Sequence, residues 1–550
     1  MNQGRVIGVV TTLIALLGLS AQAKEFPAVP GQFVVKLKNT TMTMSASTLA
    51  KSLGGQIKQT VNAKEGLLLI ERPTVETQES AVAILNANPM VQYAEPNYIY
   101  RVVGGSANLP NDTELGKLWG LVNTGQTAGG DSGSIQGKAG IDIDATKAWM
   151  IETGSKNVRV SVIDTGVNYA HPDLVDNMFT NVAELNGQPS VDDDGNGCVD
   201  DIHGCDFAGK DGDPMDVYGH GTHVSGTIGA TGNNNDGIVG VAWNVEILPV
   251  RFLGDDGGGT LADAVLSIDY SIAMKANIMS NSWGGGGFSQ ALLDAITRAK
   301  DAGILFVAAA GNSSNDNDAS AEYPASYQVD NVIAVAALDP AGNVADFSNY
   351  GKTTVQLAAP GVNVYSYTMA GLQSWSGTSM ACPHVSGVAA LLLAQDGTQT
   401  YDVIRDRLFA SARPLASLRS SVTYGMVNAY HALTNTAAPL DPNDPFDWNK
   451  SADVASTPHP YTDKFQNSWT MSVPGAARIA VHFAKFDTES GYDKVTFTDA
   501  NGVVVGTMSG KKGDDVFGPV IEGDTVTVTF TADDSVTSYG FDIDGVAYQN

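Results

Sequence analysis

Cysteine is nearly missing from this 550-residue chain, which carries only Cys198, Cys205 and Cys382. Three thiols are too few for a disulfide scaffold, so apolar packing must hold the fold. Basic residues are also scarce, with 31 Lys and Arg against 59 Asp and Glu and a formal net charge of −28. That balance repels phosphate backbones and anionic headgroups, which excludes nucleic acid and membrane surfaces as expected partners. It suits solubility and divalent cations. Beyond the N-terminal segment no run approaches the ~18 consecutive apolar residues of a membrane helix, so no span is expected in the mature form. The zinc-hydrolase pattern H-E-x-x-H is lacking too. What is present in quantity is apolar: 43% hydrophobic residues, ample for a core and incompatible with general disorder.

Composition divides the chain into five stretches. Arg5, an apolar run over 6–19 and Ala21-Gln22-Ala23 have the form of a signal peptide over 1–23, which implies a secreted, extracellular protein. Residues 24–105 alternate strand patterns (33–37, 67–70, 91–96) with a helix over 80–87, a small α+β module. Residues 106–434 are expected to be an α/β layered domain. Short apolar runs at 158–163, 245–250, 278–281, 304–309 and 332–336 read as buried parallel strands, and 261–276, 289–302 and 379–394 as helices. Pro439, Pro442 and Pro445 mark 435–449 as a linker. Over 450–550, alternating segments at 478–483, 494–498, 503–507 and 525–530 predict an all-β domain.

Three segments of the α/β region carry chemistry. Val160-Ser161-Val162-Ile163-Asp164 ends a strand on an acid, Gly219-His220-Gly221-Thr222-His223 opens a helix on a histidine, and Gly377-Thr378-Ser379-Met380-Ala381 puts a serine in the first turn of another. A serine hydroxyl needs a base within hydrogen-bond reach, and the base needs an acceptor that fixes its tautomer. Asp164, His220 and Ser379 supply acceptor, base and nucleophile. Their chain order, with no second glycine after Ser379, excludes the α/β-hydrolase arrangement. Ala309-Ala310-Gly311-Asn312 adds an amide that can donate to a developing oxyanion. His223 reads as a packed structural histidine.

With these segments in hand, the chain resembles the subtilisin-like serine proteases over about 110–434. The resemblance implies a subtilisin-like layered domain with a mostly parallel sheet, preceded by a small α+β pro-domain that acts as the enzyme's own inhibitor. It further implies a serine endopeptidase acting on protein or peptide substrates through an acyl-enzyme and made as an autoprocessed precursor. Asp164 then orients, His220 is general base, Ser379 attacks and Asn312 helps form the oxyanion hole. Ser282-Trp283-Gly284 and Gly257-Gly258-Gly259 match the two edges between which substrate pairs, and Glu322, before Tyr323-Pro324, matches the floor of the pocket for the residue preceding the cut. The expected fold class is α/β, followed by a β-sandwich. A protein of this fold that had lost catalysis and served as a binding module would lack the serine, the histidine or the oxyanion amide, and none is lacking.

Calcium is the expected structural cofactor. Asp192, Asp194 and Asn196 fit the start of a calcium loop, with Cys198 at the carbonyl position. The terminal Glu of that loop is missing, so Asp200 or Asp201 must substitute. The family resemblance implies a second site at Asp112, Asp173 and the loop containing Asn234. A Cys198–Cys205 disulfide would stiffen the acidic loop, leaving Cys382 as a buried thiol. Glu489 to Asp493, Asp533-Asp534-Ser535 and Gly540-Phe541 resemble a CUB-type β-sandwich. The spacing of Glu489 and Asp493 is short for that type, so no metal is assigned there. Substrate or surface binding and passive stabilisation both remain open as its role.

Overall fold

The computed structural model describes residues 28–38, 46–62, 66–72, 78–98, 109–440 and 444–550. The expected signal peptide and the loose segment 102–108 lie outside the described residues. The chain divides into two units, Met1–Gly105 and Ser106–Asn550.

In the first unit, strands Ala28–Leu37, Gln56–Asn62, Leu67–Glu71 and Val91–Tyr98 form one antiparallel sheet. Helices Ala46–Ser52 and Gln78–Ala87 accompany it. Alternation along Leu67–Glu71 turns Leu68 and Ile70 into a core with Phe33, Val35 and Leu85. The α+β expectation holds, with the strand Gln56–Asn62 and the first helix added.

The second unit is built on an eight-stranded sheet. In chain order its strands are β1 (Gly154–Asp164), β2 (Cys205–Asp206), β3 (Asn244–Arg251), β4 (Ile278–Asn281), β5 (Leu305–Ala309), β6 (Val332–Leu338), β7 (Leu357–Pro360) and β8 (Gly425–Met426). They stand side by side as β8-β7-β6-β5-β4-β1-β3-β2, with every pair parallel. Helices α1 (His220–Gly229), α2 (Leu261–Ala273), α3 (Gln290–Asp301) and α4 (Thr378–Gln395) cover the two faces. The two-residue period of the strands decides which side chain goes where. Val160 and Val162 of β1 pack with Val224 of α1 and Val385 of α4, while Ile163 joins Ile268 of α2 and Ile296 of α3 on the other face. Both faces being covered explains why the strands read as continuous apolar runs. The strand order reverses at β1, so the chain leaves room at the carboxyl ends of β1 and β4.

The last domain is a sandwich of two antiparallel sheets around Phe483, Phe486, Phe497, Phe530 and Phe541, all fully buried. The Pro-rich stretch before it is described over 435–440 and again from Asp444. Asp444 is buried, caps the turn Pro445–Asp447 and pairs with Arg419 at 2.9 Å. Among the described residues no helix is long and apolar enough to cross a membrane.

Candidate active site

Asp164 is the last residue of β1 and is fully buried. Its Oδ1 accepts from His220 Nδ1 at 2.7 Å and from the Thr165 N–H at 2.7 Å. An ionised carboxylate only accepts, so the His220 proton sits on Nδ1 and Nε2 is left to act as base. Gly219, at φ 102°, turns the chain into α1 in a left-handed conformation that favours glycine. Burial opposes charge on the His220 ring, but the Asp164 carboxylate outweighs it, so the His220 pKa lies above its ordinary value.

A second carboxylate, not singled out from sequence, binds the two segments together. Buried Asp216 accepts from Thr165 Oγ1 at 2.9 Å, from the Tyr218 and Gly219 N–H groups at 3.0 and 2.8 Å, and from the Thr222 N–H and hydroxyl at 3.0 and 2.6 Å. The residue after Asp164 and the start of α1 are thereby tied to one group. An acid just before a helix start is a sequence signal that was available. His223 has the structural role expected of it. Burial and the neighbouring His220 charge push its pKa down to about 3, Nε2 bonds the Val364 carbonyl at 3.0 Å, and its ring stacks on Trp375.

Ser379 lies in the first turn of α4. Its Oγ donates to the Ser282 carbonyl at 2.9 Å, and Ser282 Oγ donates to the Ser379 carbonyl at 2.9 Å. Ser379 and His220 line the same cleft. A nucleophile–base hydrogen bond commonly tightens only when substrate arrives. Asn312 follows the end of β5, and its Oδ1 accepts both the N–H and the hydroxyl of Thr378 at 2.9 Å. The amide is thereby oriented with Nδ2 facing away from Thr378. A Cβ on Gly377 would lie 3.6 Å from Asn312 Nδ2 and 3.6 Å from the Ser379 backbone N. The Asn312 amide nitrogen and the Ser379 backbone N thus both lie close to Gly377, with Met380 Sδ 3.5 Å from the same Cβ position.

The cleft is about 770 Å³ and is lined by Gly257, Gly258 and Gly259 on one edge and Ser282, Trp283 and Gly284 on the other. Side chains are impossible at some of these positions: a Cβ on Gly259 would sit 2.7 Å from the Phe252 carbonyl oxygen. Glu322 lies behind the wall of the cleft. A Cβ on Gly284 would come 3.3 Å from its Oε1, and one on Gly311 would come 3.1 Å from its Cγ. Partial burial raises the Glu322 pKa.

Residues 155–427 match the subtilase family, 18–97 the fervidolysin N-terminal prodomain and 446–544 the CUB domain. The Thermophilic serine proteinase of Bacillus sp. (strain AK1) is 36% identical over 411 residues, covering 74% of this chain and 88% of that relative. The chain belongs to the subtilase family. Thermitase of Thermoactinomyces vulgaris is 37% identical over 292 residues, which is 53% of this chain and 93% of the relative. The Halolysin-like extracellular serine protease Nep of Natrialba magadii is 34% identical over 450 residues, 79% of this chain and 74% of the relative. This subtilase is a serine endopeptidase with peptide substrates and an inhibitory prodomain, and it carries a CUB domain over 446–544.

The acidic loop of the subtilase differs in detail from the spacing-based expectation. The carboxylates brought within 4.8 Å of one another are Asp194, Asp201 and Glu184, the last contributed by the short helix Val182–Leu185. Asp192 is not in this group, because its oxygens accept the Gly195, Asn196 and Gly197 N–H groups. Asp200 accepts from the Ser190 N–H instead. Asn196 turns its amide N–H to Asp201 and its oxygen to the Cys198 N–H. Burial, with repulsion from Asp194 and Glu184, pushes the Asp201 pKa up to about 6. An all-oxygen cluster that repels itself fits a hard divalent cation such as calcium. Cys198 and Cys205 are joined in a disulfide beside it, and Cys382 is a buried free thiol.

Residues of the second expected group contact one another, and both Asp173 oxygens already accept protein donors, Oδ2 from the Tyr367 hydroxyl at 2.9 Å and the Ile238 N–H at 3.1 Å. Asp173 accepts from Asn234 Nδ2 at 2.5 Å, and burial pushes its pKa up to about 6, with Asp112 adding repulsion. Asp112 Oδ2 takes the Asn233 N–H at 2.8 Å, while its buried Oδ1 has no partner among the described residues. That orphaned oxygen fits a cation ligand. In the CUB domain Glu489, Asp493 and Asp533 also come within 4.8 Å, despite the short spacing that argued against it.

Proposed function

We infer that this subtilase is exported and hydrolyses peptide bonds through Asp164, His220 and Ser379, after releasing itself from its own prodomain. The observation that carries the reading is the 2.7 Å Asp164–His220 bond in a cleft that also holds Ser379, with the Asn312 amide nitrogen and the Ser379 backbone N both close to Gly377.

The chemistry follows from these positions. Ser379 Oγ attacks the scissile carbonyl carbon and passes its proton to His220 Nε2, while Asp164 stabilises the imidazolium. The carbonyl oxygen gains the charge and is held by the Ser379 N–H and Asn312 Nδ2. Collapse breaks the C–N bond, and the amine leaves with the proton from His220. Water then repeats the attack on the acyl-enzyme and returns Ser379.

Glu322 favours Lys or Arg before the cut, because a carboxylate behind Gly284 offers a charge-assisted hydrogen bond to a cationic side chain. Calcium held by Glu184, Asp194 and Asp201, and by Asp112 with Asp173, stabilises the folded enzyme without taking part in catalysis. Glu489, Asp493 and Asp533 form a comparable group in the CUB domain. The name of the Natrialba relative, an extracellular protease, and the signal-peptide pattern over 1–23 support export.

Self-processing separates this reading from an enzyme matured by another protease. The full-length chain and its Ser379→Ala variant are expressed in a host without other exported proteases. Intact mass and N-terminal sequencing should show a mature chain starting between about 102 and 110 for wild type, and one unprocessed chain for the variant. A variant cut at the same bond would end the self-processing claim.

A further inference from the structure

The turn that delivers Ser379 is held from three directions. The Ser376 N–H donates to Asp131 Oδ2 at 2.9 Å, the Gly377 N–H to the Gly361 carbonyl at 2.8 Å, and the Thr378 N–H to Asn312 Oδ1 at 2.9 Å. Three successive backbone donors are thus fixed by three separate parts of the chain. The next donor, the Ser379 N–H, has no acceptor among the described residues.

Of the three anchors, Asp131 comes from the least expected place. It sits at the tip of a hairpin whose strands are Thr127–Gly130 and Gly133–Gln136, 245 residues from its partner in sequence. Asp131 Oδ1 also accepts the Ser376 hydroxyl. The same hydroxyl oxygen accepts from Ser132 Oγ at 2.8 Å and from the Asn363 N–H at 3.0 Å, so its one donor and both lone pairs are in use. Asn363 in turn grips the hairpin, donating from Nδ2 to the Ala128 and Gly133 carbonyls at 3.1 and 2.8 Å and accepting the Ser132 N–H at 3.2 Å. Gly130 permits this approach, since a Cβ there would lie 2.5 Å from Asn363 Oδ1. The hairpin has little core of its own to bury. Both strands are largely exposed, with Ala128 as the buried residue. Its tip is nevertheless saturated with hydrogen bonds to the nucleophile turn.

We propose that Asp131 is a positioning residue for catalysis, which acts through Ser376 to set the angle of the turn that carries the Ser379 hydroxyl and its oxyanion-binding N–H. A carboxylate suits the task because it can accept the N–H and the hydroxyl of one residue at once. It touches neither substrate nor the reacting atoms.

This deepens the reading of Ser379 as nucleophile, and the test keeps the two apart. Asp131→Ala, Asp131→Asn and Ser376→Ala are made in the full-length chain, and the processed enzymes are titrated with a fluorophosphonate. Then kcat per titrated site and KM are measured on a peptide p-nitroanilide. Misplacing the turn should lower kcat per site by about 10- to 100-fold in Asp131→Ala with KM little changed. Asp131→Asn, which keeps one acceptor oxygen for the Ser376 N–H, should recover part of the loss. A purely structural hairpin would lower the yield of titratable sites and leave kcat per site at the wild-type value, and that result overturns the proposal. If Asp131→Ala yields no titratable enzyme, Ser376→Ala decides: it deletes the hydroxyl bond to Asp131 and keeps the N–H bond, so it should show a smaller loss of kcat per site in the same direction, and a wild-type kcat per site would overturn the proposal. Wild type that takes up no fluorophosphonate would instead sink the Ser379 reading itself.

Discussion

Thr378 holds Asn312 by the amide oxygen from two directions, its N–H and hydroxyl both at 2.9 Å, and so leaves the amide nitrogen for the substrate. Asn312→Ala removes a donor that bonds only the developing oxyanion. It should lower kcat by about 2.7–4 kcal/mol with little change in KM. Thr378→Val deletes one of the two restraints and should cost less, about 0.5–1.5 kcal/mol. Steady-state kinetics on a small peptide substrate check both. A rise in KM at constant kcat would show Asn312 to be a substrate-binding group only.

The acid limb of activity should report His220. Burial disfavours its charged form, but the Asp164 carboxylate prevails and holds the pKa above the ordinary 6.5. The base works unprotonated, so kcat/KM should rise with pH through a midpoint above 6.5. Asp216→Asn removes a second negative charge near the ring and should move that midpoint to lower pH. A wild-type midpoint below the ordinary value would contradict the assigned balance of burial and charge.

Chelation should shorten the lifetime of the processed enzyme at elevated temperature. A ligand bound only by the folded state adds about 2.7 kcal/mol at a hundred times its Kd. Asp201→Asn should blunt the difference between EDTA and calcium, because it takes a charge from the Glu184–Asp194–Asp201 group. Inactivation half-lives measured in the two solutions decide the matter, and equal half-lives for wild type would remove the calcium reading.

Cleavage preference should follow Glu322. A charged hydrogen bond of about 1.5–3 kcal/mol corresponds to a preference on the order of 10- to 100-fold. In peptide-library profiling, wild type should favour Arg over Phe before the cut, and Glu322→Gly should reverse the order. An unchanged Arg-to-Phe ratio would show that the carboxylate does not reach the pocket.

Much of this arrangement is legible in sequence because the elements concerned announce themselves locally. Strands β1, β3, β4, β5 and β6 are apolar runs, and Asp164, His220 and Ser379 each stand within two residues of a glycine at an element boundary. Strands β2 and β8 have two residues each, and β7 has four, too few for any periodicity to show. Asp216 is an acid just before a helix start and bonds mostly to its near neighbours, so its role is legible in sequence, whereas that of Thr378 is not, because its partner is set by tertiary structure. Thr378 meets Asn312 across 66 residues, and no local pattern encodes that contact. Glu184 belongs to a four-residue helix, and only the folded loop brings it to Asp194 and Asp201.

The central claim is that Ser379, activated by His220, is the nucleophile. Its most direct test is reaction of the processed enzyme with a fluorophosphonate, followed by peptide mass mapping. One adduct per chain should form on Ser379, with complete loss of peptidase activity, and His220→Ala should slow labelling by several orders of magnitude. Full peptidase activity in enzyme that carries no adduct at Ser379 would contradict the account.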